Sequence, residues 1–333
     1  MKFSFKINAH GQPQGRDLRD FVRLGQRAEE LGFHGVYCID HQWLPRERMA
    51  GYTTDDLSRP GFPDAYVLLS AIATATSRVK LGPQVTPIGL RHPVDVARWG
   101  ASLDQLSGGR FVLQAGAGHQ RSEYVGFGFE FPPFAERFER MLEGLEVIRR
   151  LWTEEGPIDH AGRYYRLEHV EFWPKPLHWP GIWLGGTSDR IRGAVARIGD
   201  GWAPAAPQHG ALGTTTYQDG IQGIRAQARE LGRTQPIGAG LMIYGAVPGD
   251  DHSTRRVAEV LRRRDDWAAI PVDQLLREGP VVAGALDAVC ERLDAYRQAG
   301  VEEITISFVP IDDIEATFRG LEIYAEAILP RFA

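Results

Sequence analysis

One unit recurs along this chain: an amphipathic helix runs into a glycine, and a short apolar strand follows. Leu18, Phe21, Val22, Gly25, Ala28 and Leu31 fall at helical spacing after Asp17, which is placed to cap them. Gly32 and Gly35 then break into Val36-Tyr37-Cys38-Ile39. Near the other end Leu286, Val289, Cys290, Leu293 and Tyr296 repeat the pattern, Gly300 stops it, and Ile304–Val309 follows. The spacing predicts strands at Phe3–Ile7, Val36–Ile39, Val79–Val85, Phe111–Ala115, Ile182–Leu184, Gly201–Ala203, Ile237–Val247 and Ile304–Val309. Helices are expected near 17–31, 63–76, 93–107, 134–152, 188–198, 219–231, 253–265 and 286–299. Alternating units with near-continuous apolar strands imply a parallel sheet covered by helices. Eight of them close a (β/α)8 TIM barrel; a doubly wound open sheet is the competing architecture. No Pro/Ser/Gly-rich linker separates two domains, so residues 1–333 read as one barrel domain. The extra length falls in Thr153–Pro180 and Ala205–Gln218, taken as rim insertions.

Composition narrows the function classes. Among 333 residues, 38 are basic and 43 acidic, a net charge of −5, which disfavours a nucleic-acid partner. Cys38 and Cys290 stand alone, with no ligand-spaced Cys/His cluster, so neither a metal nor a disulfide framework is expected. Met1–Asn8 alternates apolar and polar instead of forming a signal sequence, and no apolar run approaches the ~20 residues of a membrane span. A cytoplasmic protein with no membrane association is expected.

In a barrel the chemistry belongs at the C-terminal ends of the strands. Those ends carry Asn8-Ala9-His10, Asp40-His41-Gln42-Trp43, Pro83–Pro87, Gly116–Arg121, Gly185–Ser188, Trp202 and Pro310. Asp40 and His41 are the sharpest pair, since a carboxylate beside an imidazole can share proton transfer or orientation. The bland alternative is a capped turn with a solvated histidine. Gly185-Gly186-Thr187-Ser188 follows an apolar strand and opens a helix, so its free N–H groups suit an anion; a serine-capped tight turn is the alternative. Gly116-Ala117-Gly118 lacks the third glycine of a dinucleotide fingerprint, where Arg121 stands. His119, Gln120, Arg121 and Ser122 in that loop are candidates for reaching a cofactor or substrate. His92, before Pro93, reads as a structural helix start. Phe127, Phe129, Phe131 and Phe134 read as loop packing or as an aromatic lid. Arg255, Arg256 and Arg262–Arg264, among acidic neighbours, read as a solvated helix face.

Several stretches together resemble the bacterial luciferase-like monooxygenase superfamily, and more closely its deazaflavin-dependent branch. They are Glu30-Leu-Gly-Phe-His-Gly-Val-Tyr37 into Asp40-His41, Ala75-Thr-Ser-Arg-Val-Lys-Leu-Gly82, Leu90-Arg-His-Pro93 and Leu103-Asp-Gln-Leu-Ser-Gly-Gly-Arg110. Gly162-Arg-Tyr-Tyr165, Trp173-Pro-Lys-Pro176, Ile182-Trp-Leu-Gly-Gly186, Ile198-Gly-Asp-Gly-Trp202 and Ala299-Gly-Val-Glu-Glu-Ile304 continue in family order. The resemblance implies a TIM-type barrel with a flavin or deazaflavin across the strand ends. Its phosphate is then expected at Gly185, Gly186, Thr187 and Ser188, with Asp40 and Ser122 as further cofactor contacts. It implies that His41 handles the substrate proton, and that Gln84-Val85 is a non-proline cis peptide backing the ring.

The departures from the family pattern bear on substrate and cofactor. In the family's glucose-6-phosphate dehydrogenases a glutamate stands where this chain has His119, which makes His119 a candidate catalytic residue and argues against a sugar phosphate. With His10, Trp43 and Trp202 expected in the substrate pocket, a small, partly apolar organic molecule is favoured. Asp40-His41 in place of a His-His pair favours coenzyme F420 and hydride transfer. The alternative is an FMN-dependent monooxygenase fed by a separate flavin reductase; outside that class stand a non-catalytic flavin-binding protein and a cofactor-free barrel hydrolase. A homodimer is compatible with each reading.

Overall fold

The computed structural model describes residues 1–9, 17–45, 61–205, 214–262, 271, 274, 276, 281–309 and 314–333. His10, Pro310, residues 206–213 of the second expected insertion, and Arg263 and Arg264 of the basic helix face lie outside the described residues.

In chain order the strands are β1 (Lys2–Ile7), β2 (Gly35–Cys38), β3 (Lys80–Pro83), β4 (Thr86–Pro87), β5 (Leu113–Gly116), β6 (Ile158–Ala161), β7 (Arg166–Val170), β8 (Ile182–Leu184), β9 (Gly201–Trp202), β10 (Gly238–Gly245), β11 (Val281–Val282) and β12 (Glu303–Phe308). The helices are α1 (Arg19–Glu30), α2 (Ala65–Ala75), α3 (Pro93–Ser107), α4 (Arg121–Gly126), α5 (Phe134–Thr153), α6 (Asp189–Ile198), α7 (Thr214–Glu230), α8 (Asp251–Arg262), α9 (Leu286–Gln298) and α10 (Ile314–Ile323).

The main sheet runs β3-β2-β1-β12-β10-β9-β8-β5-β4, with β11 added against β10. Its neighbours are parallel throughout. The two ends meet: Leu81 N–H donates to the Arg110 carbonyl (3.0 Å) and Val112 N–H donates to the Leu81 carbonyl (2.8 Å). With β3 and β4 counted as one position interrupted at Gln84-Val85, the ring is a closed (β/α)8 barrel. Closure here requires glycine at position 82, because a Cβ there would sit 2.1 Å from the Val112 carbonyl oxygen.

Each strand sorts its side chains by the period of two. Phe3, Phe5 and Ile7 of β1 pack outward into the helix layer, with Phe21 and Leu24 of α1 in the same buried cluster. Ser4 and Lys6 face the other way, into the barrel. The apolar layer between ring and helices includes Leu69, Ile72, Leu81, Val96, Leu113, Ile148, Leu184, Val195 and Ile304, none of which is exposed. It drives closure through burial of apolar surface.

Helix α1 begins at Arg19 rather than Asp17, with Leu18 at its cap, although Asp17 still accepts from the Arg19 N–H (2.9 Å). Elements beyond the sequence expectation are α4, β11, α10, and the antiparallel β6–β7 hairpin within the first insertion. Glu143 of α5 fastens that hairpin by accepting from the backbone N–H groups of Arg163, Tyr164 and Tyr165. Cys38 and Cys290 are buried free thiols. Among the described residues no helix is long and apolar enough to cross a membrane, and no cluster of His, Cys, Asp or Glu is arranged to hold a metal.

Candidate active site at the barrel mouth

His41 follows β2, and α4 follows β5 on the same rim. The His41 Nδ1 lies 3.0 Å from Oε2 of Glu123, in the first turn of α4. The same carboxylate accepts from the backbone N–H groups of Gln42 and Trp43. The Glu123 side chain is only 2% exposed, against 19% for His41, so the carboxylate holds the imidazole from behind and leaves the ring at the surface of the mouth. Burial alone would push the Glu123 carboxyl up. The hydrogen bond and charge of His41, with the two backbone donors, more than offset this and leave it below the ordinary glutamate range. Glu123 escapes a reading of the sequence because its partner is 82 residues away and nothing in its own polar helix marks it.

Other groups gather at His41. The exposed His119 ring packs edge-on at 5.7 Å between centroids, and Phe62 stands at 5.6 Å. Trp43 is half-buried against Gly126 of α4, where a Cβ would come within 3.1 Å of its ring. Ser122 lies on α4, its hydroxyl accepting from Gln120 (2.6 Å). Phe127, Phe129 and Phe134 are exposed beyond α4, whereas Phe131 lies under the Arg137 guanidinium. His92 has the structural role expected of it: it caps α3, its Nδ1 accepting from Val94 N–H (3.3 Å).

Asp40 corrects the expectation of a proton-sharing pair with His41. Its side chain is fully buried and both oxygens are committed elsewhere. Oδ1 accepts from Arg91 Nη2 (2.5 Å) and Nε (3.0 Å), and Oδ2 accepts from the Thr86 hydroxyl (2.7 Å). Burial pushes this carboxyl up, and the guanidinium and Thr86 pull it back. Arg91 also reaches Asp64 (3.1 Å), which caps α2 by accepting from Tyr66 and Val67 N–H. Asp40 thus ties the end of β2 to β4, α2 and the loop before α3. The sequence motif Leu90-Arg-His-Pro93 contains Arg91 without hinting at this partner.

Across the mouth, the Gln84-Val85 bond is cis, as the family resemblance implies. The Val85 side chain lies between the ends of β5 and β8: a Cβ on Gly116 would meet it at 2.9 Å and one on Gly185 at 3.0 Å. Gly186 has φ +110°, and Ser188 caps α6 by accepting from Ile191 N–H (3.4 Å). Gly186, Thr187 and Ser188 are exposed. An apolar platform beside exposed amides at a ten-residue helix start is a cradle suited to a flat ring carrying a phosphate.

Trp202 is a second correction. It is fully buried, not on a pocket wall: its ring stacks on Tyr217 (5.0 Å, 17°) and its indole N–H donates to the Gly186 carbonyl (2.8 Å). It fixes the glycine turn from beneath. His10, the remaining pocket candidate, lies outside the described residues.

Fold and mouth together define a (β/α)8 barrel whose candidate functional groups stand at the C-terminal ends of its strands. The family model for luciferase-like monooxygenases matches residues 1–303, and the chain belongs to that family of oxidoreductases. It is 27% identical over 332 residues, 94% of each chain, to an F420-dependent glucose-6-phosphate dehydrogenase of Amycolatopsis mediterranei (strain U-32). It is 30% identical over 257 residues to an F420-dependent hydroxymycolic acid dehydrogenase of Mycobacterium tuberculosis (strain ATCC 25618 / H37Rv), covering 76% of this chain and 64% of that one. An F420-dependent secondary alcohol dehydrogenase, solved with an F420-acetone adduct, shares the fold at TM-score 0.80 and 20% identity over 98% of both chains. The monooxygenase RslO1 from Streptomyces bottropensis does so at TM-score 0.81 and 24% identity over the full length of both.

Proposed function

We propose that the chain, acting as one barrel over residues 1–333, is an F420-dependent oxidoreductase passing hydride between the deazaflavin and a small, partly apolar alcohol or carbonyl compound. The observation that carries this reading is the His41–Glu123 pair at the strand ends. An ionised carboxylate only accepts, so the bond places the imidazole proton on Nδ1 and leaves the Nε2 lone pair for the substrate. In the oxidative direction Nε2 takes the alcohol's hydroxyl proton as the carbonyl forms; in the reductive direction the imidazolium returns it. F420, when bound, supplies the hydride acceptor or donor.

The chain's own residues fit that group. Val85, between Gly116 and Gly185, offers a surface for the ring, with Gln84 beneath it, its Oε1 buried and unpartnered among the described residues. The exposed amides of Gly186–Ser188 take the phosphate, while Gly185, whose N–H is given to the Ala115 carbonyl (2.9 Å), anchors the turn. Asp40 and Arg91 hold the rim that carries His41 without touching substrate, and Ser122 remains on the cofactor side of α4. Trp43, Phe62 and the His119 ring make a largely aromatic wall, which supports a partly apolar substrate; His119 is the second proton-handling candidate. The F420-dependent relatives along most of the chain support the cofactor choice. A cytoplasmic setting is part of this reading, and a chain poor in cysteine fits it.

Titrating the protein with F420 and with FMN, each oxidised and reduced, tests this reading by cofactor fluorescence. Binding of F420, and its reduction on addition of a secondary alcohol, is the expected result. Binding of FMN alone, with oxygen consumed once a flavin reductase is supplied, would replace it with the monooxygenase reading.

A further inference from the structure

The barrel's inner wall carries a charge that the proposed chemistry leaves unused. Lys6 of β1 is in register with Tyr37 of β2, on the inward face that also bears Ser4. Its neighbours on that wall bond to one another. Glu303 accepts from Ser4 Oγ (2.6 Å) and Tyr37 Oη (3.0 Å), and beyond Lys6 toward the mouth Asn8 Nδ2 donates to Ser307 Oγ (2.7 Å). Lys6 is more than nine-tenths buried, at 8% exposed, and has no hydrogen-bond or ion-pair partner among the described residues. The titratable neighbours are Glu303, Tyr37 and Cys38, and burial pushes both the Tyr37 phenol and the Cys38 thiol up and keeps them protonated.

An unpaired ammonium is costly inside a fold, and burial pushes this one down to about 8. An apolar side chain would fill the same wall without that cost. Under the F420 reading, one event at the mouth does call for a positive charge. Hydride uptake adds one unit of negative charge to the ring.

We infer that Lys6 is the counter-charge for the bound deazaflavin in its reduced form. The mouth then binds the reduced ring more tightly than the oxidised ring, and the enzyme is biased toward removing hydride from its organic substrate. This inference rests on the F420 reading, and the experiment separates the two. Affinities for oxidised and reduced F420 are measured by fluorescence under anaerobic conditions for the parent, Lys6→Met and Lys6→Arg. Lys6→Met should weaken the reduced form at least about tenfold and the oxidised form less than about threefold, with Lys6→Arg restoring most of the difference. Equal weakening of both forms, or of neither, overturns the role of Lys6 while leaving F420 dependence intact. A parent that binds neither form overturns the F420 reading itself.

A second measurement needs no variant to fold with a methionine at position 6. The chain has four lysines, Lys2, Lys6, Lys80 and Lys175, so their side-chain nitrogens can be followed individually by NMR, with Lys6→Arg assigning the signal. In the free protein Lys6 should titrate well below the usual lysine range. Reduced F420 should raise its titration by about one unit or more, and oxidised F420 should move it less. A Lys6 signal indifferent to the redox state of the cofactor overturns the proposal.

Discussion

The two rims of the mouth are built on opposite principles. On the β2 rim the proposed proton carrier and its support are side chains held by distant partners: His41 by Glu123, Asp40 by Arg91, and both carboxylates are buried. On the β8 rim the proposed working groups are the exposed backbone amides of Gly186–Ser188 in one continuous run, tied at a distance through Gly185 N–H to the Ala115 carbonyl and through Trp202 to the Gly186 carbonyl. Proton transfer needs one atom of fixed protonation at a fixed place, which only a satisfied side-chain network provides. Phosphate binding needs only aligned N–H groups and a helix start. Damage to the β2 rim should therefore strike turnover or folding, and damage to the β8 rim should strike cofactor affinity.

The largest effect should come from His41→Ala. Turnover is expected to fall ~10²–10⁴-fold, the usual contribution of a general acid–base group, with F420 affinity changed less than about threefold. Retention of more than about a tenth of parental turnover would transfer the proton role to His119. Arg91→Met tests the same rim through stability. It leaves the Asp40 carboxylate buried without its counter-charge, so urea denaturation should show a loss of about 3–5 kcal/mol. The double variant with Asp40→Asn should recover a good part of it; a single variant as stable as the parent would show that the pair does not hold the rim.

Glu123→Gln should cost less, about 10- to 100-fold in turnover with cofactor affinity unchanged, because the imidazole stays but its tautomer is no longer set. The pH dependence follows in sign. The folded Glu123 carboxyl lies below its ordinary value, so its contribution to stability is present above that value of about 4.3. It is lost only as pH falls through the lower, folded value. Acidification should therefore cost the parent more stability than it costs Glu123→Gln, which has no carboxyl at that position to protonate; identical profiles would detach Glu123 from His41.

What sequence reading captured follows the same division. The eight βα units were legible because apolar periodicity is local, and helix ends came within about three residues of those observed except at α7, which begins five residues before the expected 219. The Gly185–Ser188 turn was legible because its glycines, hydroxyls and helix start are contiguous. The β2 rim was legible only in half. Asp40 and His41 were visible as neighbours, but strand geometry sends them to different partners, 51 and 82 residues away. Trp202 was read as pocket wall because an aromatic at a strand end often is one; its stacking on Tyr217 of α7 turns it under the turn instead. The β6–β7 hairpin stayed hidden because its strands are polar and mostly exposed.

On the β8 rim, Gly186→Val should weaken F420 binding by at least about tenfold, ~1.4 kcal/mol, with turnover of the saturated enzyme nearly kept. The backbone at φ +110° is one that a β-branched residue avoids, and its Cβ would press Ile191 at 3.3 Å. Unchanged affinity in a folded variant would move the phosphate site elsewhere.

The smallest effect should come from Trp202→Phe, and it distinguishes a pocket residue from a support. Phenylalanine keeps an aromatic ring for Tyr217 but removes the N–H that holds the Gly186 carbonyl. A hydrogen bond of this kind is worth about 0.5–1.5 kcal/mol net, so F420 affinity should fall two- to tenfold as the turn loses its tie. Because Trp202 has no exposed surface, KM for the organic substrate at saturating F420 should not change. A variant whose substrate KM rises while its F420 affinity holds would return Trp202 to the substrate pocket and would mean that the capping of α6 and the Gly185–Ala115 bond position the turn without it.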